Sequence, residues 1–126
     1  MSNVKVKAAL KSGDRDRVLK ALRSKITRAG AINLDSFELD ELPEALAELD
    51  GEFTTLRLSD NVLEQWPEVL GRLSGVHTLA LNNNALKSLP EDLSGMRALQ
   101  VLDLRGNKLM KFPSGLLSLP ALSAVV

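Results

Sequence analysis

The chain has 126 residues, 16 basic and 16 acidic side chains, one histidine and no cysteine. That length suits one small domain; the lack of cysteine excludes disulfides, thiolate catalysis and zinc–thiolate clusters, and an aromatic content of 3% leaves few platforms on which single-stranded nucleic acid would stack. The zero net charge hides a polarity, since residues 1–28 hold nine Lys or Arg against two Asp, residues 29–70 one Arg against eleven acids, and residues 71–126 six bases against three acids, a pattern that bears on partners and steering rather than on fold.

A first short helix is predicted over residues 4–11 and is broken by Ser12-Gly13. Asp14 is a suitable N-cap for a second helix over residues 15–28, closed by Gly30. At helical spacing Val18, Leu19, Leu22, Ile26 and Ala29 share one side, and Arg17, Lys20, Arg23, Lys25 and Arg28 the other. The Lys-rich start contains no continuous apolar run of the kind a signal peptide or membrane span needs. Short strands are then predicted at about 31–35, 55–59, 78–82 and 101–105. Alternation points Leu56 and Leu58, Leu79 and Leu81, and Leu102 and Leu104 inward.

These strands belong to a repeat. Leu56, Leu79, Leu102 and Val125 are spaced by 23, as are Asn61, Asn84 and Asn107, then Leu63, Leu86 and Leu109, then Pro67, Pro90 and Pro113. A fixed period of this size means stacked units that bury a core only between neighbours, with identical strands forming a parallel sheet. The amide of each Asn sits where turn backbone would be buried, and it is expected to bridge adjacent turns. The Pro stops the strand from continuing. Leu70 with Leu73, Leu93 with Met96, and Leu116 with Leu119 are expected to anchor helical or 3₁₀ turns on the outer side. An earlier copy, "INLDSFELDELPEALAEL", is offset by 24 and has Phe37 where the others have Asn. The final residues "LSAVV" read as a fifth strand with Leu122 and Val125 in phase and no polar unit after it. The expectation is that the sequence continues, that another chain covers this end, or that the short strand itself closes the stack.

The pattern L-x-L-x-x-N-x-L-x-x-L-P-x-x-L-x-x-L resembles the leucine-rich repeat, in its short cytosolic form with a Leu-Pro step. The junction Ala29-Gly30-Ala31-Ile32-Asn33-Leu34 resembles the run from an N-terminal cap helix into the first strand of such proteins. The resemblance implies an α/β solenoid with a curved parallel β-sheet, a convex side of short helical or 3₁₀ turns, and an N-terminal α-helical cap. It divides the chain into a cap over 1–30 and repeats over 31–126, at about 31–52, 53–75, 76–98, 99–121 and a partial 122–126. It also implies a protein partner on the concave face of the sheet, no cofactor and no enzymatic activity. Secreted members usually carry cysteine-rich caps; their absence here, with no N-x-S/T acceptor, points to the cytoplasm.

The concave positions form three columns: Ala31, Thr55, Thr78 and Val101; Asn33, Arg57, Ala80 and Asp103; Asp35, Ser59, Asn82 and Arg105. Arg57 and Arg105 are the candidate anchors, because Arg is prominent in interface energetics; the plainer reading is a solvated sheet face with no partner. Lys20, Arg23, Lys25 and Arg28 are candidates for contact with a polyanion, RNA or an anionic membrane. The plainer readings of that helix are a cap with its charges in water, or one held near the acidic first two repeats. His77 has no second ligand for a metal, and Trp66 fills a core slot. Asp14, Asp16, Glu91 and Asp92 lie on caps or turns, and no nucleophile–base arrangement is present. The function expected is a non-catalytic scaffold that binds a partner protein. The alternatives are a structural subunit held through its C-terminal edge and basic helix, which predicts self-association or a larger complex, and polyanion binding through residues 4–28.

Overall fold

The computed structural model describes all 126 residues. It opens with two helices, α1 (Asn3–Leu10) and α2 (Arg15–Lys25). The Ser2 hydroxyl accepts from the Lys5 N–H at the start of α1, and the Asp14 carboxylate accepts from the Asp16 and Arg17 N–H groups at the start of α2, satisfying amides that a helix end leaves free. Helix α2 stops at Lys25, three residues short of the predicted end. There Thr27 takes over the backbone: its N–H donates to the Ala31 carbonyl, its hydroxyl accepts from the Ala31 N–H at 3.1 Å, and its carbonyl accepts from the Gly30 N–H. The β-branched pair Ile26-Thr27 favours this turn over another helical one. As a result Ala29, predicted on the apolar side, is exposed and Ile26 is half-buried, while Ala21 is buried with Val18, Leu19 and Leu22.

Five strands follow: β1 (Ala31–Asn33), β2 (Thr55–Arg57), β3 (Thr78–Ala80), β4 (Val101–Asp103) and β5 (Ala124–Val125). They form one parallel sheet in chain order. Ile32, Leu56, Leu79, Leu102 and Val125 stand side by side, so the register is the sequence period made physical. The regular strands are shorter than predicted, but the backbone ladder runs on beyond them. The N–H groups of Leu34, Leu58 and Leu81 donate to the carbonyls of Arg57, Ala80 and Asp103, and those of Ser36, Asp60 and Asn83 to Ser59, Asn82 and Arg105. Pairing ends where the chain turns through a positive φ at Ser36, Asp60, Asn83 and Gly106, residues at equivalent places in successive repeats. Asp, Asn and Gly reach that left-handed region readily.

On the outer side, 3₁₀ turns occupy Glu44–Leu49, Glu68–Arg72 and Ser114–Ser118, each entered from a proline. The third repeat differs from expectation. Leu93 and Met96 are buried as predicted, but they sit on a plain turn closed by one Met96 N–H to Leu93 carbonyl bond. There the Asp92 carboxylate captures the Ser94 N–H at 2.9 Å and the Ser118 hydroxyl accepts from the Leu93 N–H at 2.7 Å; local side-chain bonds of this sort compete with helix. The core is continuous from Val6 in α1 to Leu119 and takes in Leu56, Leu79 and Leu102 of β2, β3 and β4 and Leu58, Leu81 and Leu104 just after them.

The asparagines bind turn to turn. Asn61 Oδ1 accepts from the N–H groups of Phe37 and Leu39, and its amide donates to the carbonyls of Leu34, Leu58 and Ser59, all between 2.9 and 3.1 Å. Asn84 accepts from Leu63 and donates to Leu58 and Leu81. Asn107 accepts from Leu86 and donates to Leu81 and Leu104. Phe37, which lacks an amide, is 2% exposed and lies beneath the hairpin, with the Lys7 and Lys25 ammonium groups 5.6 and 5.7 Å from its ring centre.

Asn61→Ala orphans two buried N–H groups and is expected to cost about 3 kcal/mol in urea unfolding. Asn107→Ala, at a half-buried site, is expected to cost about 1 kcal/mol. Convex packing gives a second test. A Cβ on Gly95 would run into the Gly71 carbonyl oxygen, whereas one on Gly71 would meet nothing within 4 Å. Gly95→Ala should therefore destabilise by about 1–3 kcal/mol, and Gly71→Ala should be neutral or stabilise by up to about 1 kcal/mol.

Candidate partner-binding face

Side chains that alternate with the buried leucines emerge on the concave side. The column of Ala31, Thr55, Thr78 and Val101 is half-buried, small and uncharged. Beside it Arg57 and Asp103 flank Ala80 in the middle column, two strand spacings or about 10 Å apart along the sheet. Neither charge is free. Arg57 Nε donates to Asp35 Oδ2 at 2.9 Å with Nη2 at 2.7 Å, and Asp35 Oδ1 accepts from the Ser59 N–H at 2.8 Å. Arg105 grips Asp103 with two bonds, Nε to Oδ1 at 3.0 Å and Nη2 to Oδ2 at 2.7 Å. That hydrogen-bonded guanidinium holds the Asp103 carboxyl below its usual range against an opposing push from burial, and the carboxylate holds Arg105 above its own.

The remaining members divide by burial. Asn33 is exposed, and its side-chain oxygen accepts from the Asp35 N–H. Asn82 is half-buried. Ser59, grouped with the contact residues from its sequence position, is 1% exposed and donates to Asn82 Oδ1 at 2.6 Å. It therefore supports the face from below rather than presenting a group to solvent. The concave side is thus a shallow trough of small residues with an Arg–Asp pair toward each end. Each guanidinium keeps its Nη1 edge unbonded.

The basic candidates of the hairpin are not gathered into one patch. Arg23 reaches Glu52 through Nε and Nη2, both at 3.3 Å, and Lys25 donates to Asn3 Oδ1 at 3.1 Å. Lys20 and Arg28 are exposed and form no ion pair. Arg15 holds both oxygens of Glu48, and Lys7 lies 3.9 Å from Glu38. Arg15 draws the Glu48 carboxyl below its usual range. The hairpin therefore faces the acidic first repeat through three ion pairs, two of them from residues that sequence reasoning left out. The available signal was the block of acids over residues 29–70, though not which base would meet which acid. His77 is exposed just before β3, and Trp66 is half-buried against the core rather than enclosed. Nowhere do three or more His, Asp or Glu gather at metal-binding spacing, and no helix is long and apolar enough to cross a membrane.

Residues 51–109 match the family model described as leucine rich repeat. No curated protein matches the chain. Domains of this family generally mediate protein–protein interaction and are typically not enzymes. The matched span holds β2, β3 and β4 and is a run of leucine-rich repeats, and the same bonded register extends to β1 and β5 outside it, so the sheet as a whole has the form of a leucine-rich-repeat solenoid.

Proposed function

We propose that the concave face docks a partner protein and that the chain acts as a non-catalytic scaffold in the cytoplasm. The observation that carries this reading is the preformed pairing of Arg57 with Asp35 and of Arg105 with Asp103 on a sheet whose strands pair in continuous parallel register. Side chains fixed before association lose little rotamer freedom on binding. Both pairs offer an acid and a base together, so a partner with its own mixed charges would meet complementary groups at each end of the trough. Asn33, Thr55, Thr78, Asn82 and Val101 supply contact area between them. Residues 1–30 serve in this reading as a cap and residues 31–126 as the repeat unit. The cytoplasmic assignment is supported by a chain without cysteine or N-x-S/T acceptor.

The basic hairpin is assigned to holding the first repeat rather than to a polyanion, because Lys7, Arg15 and Arg23 are paired with its acids and Lys25 with Asn3. Affinity capture from the native cell with mass spectrometry tests the main reading. Proteins recovered on the wild type should be lost on Arg57→Glu/Arg105→Glu and kept on Lys20→Gln/Arg28→Gln; if the first variant keeps every protein, the concave-face reading is wrong. The second assignment is checked with an RNA oligomer and anionic vesicles. Binding should be equally weak for the wild type and for the variant with Lys20, Arg23, Lys25 and Arg28 all changed to Gln, whereas a salt-sensitive affinity lost in that variant would establish the polyanion role.

A further inference from the structure

One flank of the solenoid lies between the concave sheet and the convex turns, where each repeat runs from its asparagine to its proline. The Val62, Ala85 and Lys108 N–H groups donate to the Leu39, Leu63 and Leu86 carbonyls, so this segment of every repeat is stacked squarely on the one before. The charge on the stack reverses along the axis. The first two turns present Asp40, Glu41 and Glu64, the third presents Lys87, and the fourth presents Lys108 and Lys111, all exposed. None of the six takes part in the ion pairs of the chain. Next to them runs an apolar strip made of half-buried Trp66 and Leu89, Phe112 at 70% exposure and Met110 at 88%. Met110 stands at the position that Asp40, Glu64 and Lys87 hold in the earlier repeats. It is an apolar side chain at a solvated position, and exposed apolar clusters rimmed by charge mark contact surfaces.

A flank whose charge changes sign from end to end is its own complement when turned by a two-fold axis. We propose that this flank pairs two copies of the chain about an axis between the second and third turns. Asp40 and Glu41 of each copy then face Lys108 and Lys111 of the other, Glu64 faces Lys87, and Met110 and Phe112 are covered. Each contact occurs twice and the pair is closed, as an isologous interface requires. The flank is only four turns long, about 15 Å at the spacing of parallel strands, which makes the interface small and the dimer dependent on concentration and salt. The concave face stays open, so this inference goes beyond the partner-binding reading and stands independently of it.

Sedimentation analysis of the whole chain tests it. At low salt the wild type should rise with concentration toward twice the monomer mass and return to monomer as salt is added. The variant Lys87→Glu/Lys108→Glu/Lys111→Glu and the variant Asp40→Lys/Glu41→Lys/Glu64→Lys should each weaken self-association at least about tenfold. An equimolar mixture of the two should dimerise again, since both contact clusters are then opposite in sign. Met110→Glu alone, at a solvated position, should weaken the dimer without altering the circular dichroism spectrum. A wild type that stays monomeric, a mixture that fails to associate, or species that grow past the dimer would each overturn the proposal.

Discussion

The fold depends on turning the chain inside its own core without leaving backbone groups unpaired. After each strand the backbone bends inward, and groups buried without partners would cost more than the leucines beside them return. Asn61 meets that constraint with five hydrogen bonds to four residues other than its nearest neighbours in sequence and one two positions away. A leucine at that position would fill the space but bond nothing. Because each amide reaches both its own turn and the preceding one, the ladder also couples repeat to repeat. Stability is in this way a property of neighbouring units rather than of any unit alone.

The first turn is the exception that makes the start of the stack workable. Phe37 has no earlier turn to bridge and instead offers an aromatic ring to the hairpin, whose Lys7 and Lys25 lie above it. Its own N–H is held from the following repeat by Asn61. The charges of the hairpin and of the first repeat are then opposite where they meet, at Arg15 with Glu48 and Arg23 with Glu52. These pairs are exposed and contribute little individually. Apolar burial of Val18, Leu19, Ala21 and Leu22 supplies most of the attachment, and the charges fix which surface of the hairpin faces the repeat.

Much of this was legible in the sequence because the period marks equivalent positions. The inward leucines, the asparagine bridges and the order of strands all follow from residues in phase. What was not legible depends on contacts without a period. The end of α2 at Lys25 is decided by the hydroxyl of Thr27 meeting Ala31, and the plain third turn by Asp92 capturing Ser94. Strand alternation sets which side chains stand opposite the buried leucines, but it says nothing of pairing. It did not reveal that Arg57 and Arg105 are engaged by Asp35 and Asp103, nor that Ser59 is buried under Asn82. The repeated positive φ at Ser36, Asp60, Asn83 and Gly106 also went unread, although Asp, Asn and Gly stand at that place in the later copies.

A sheet with its backbone bonded and its charged side chains already paired suits recognition by a rigid surface, and that rigidity rests on the asparagine ladder. Hydrogen exchange of individual backbone amides under native conditions measures it most directly. The N–H groups of Phe37, Leu39, Leu63 and Leu86, which the ladder accepts, are predicted to exchange only when the whole chain unfolds and to share one opening free energy. Exchange of these four amides as fast as those of the exposed Met110–Phe112 segment would contradict the account.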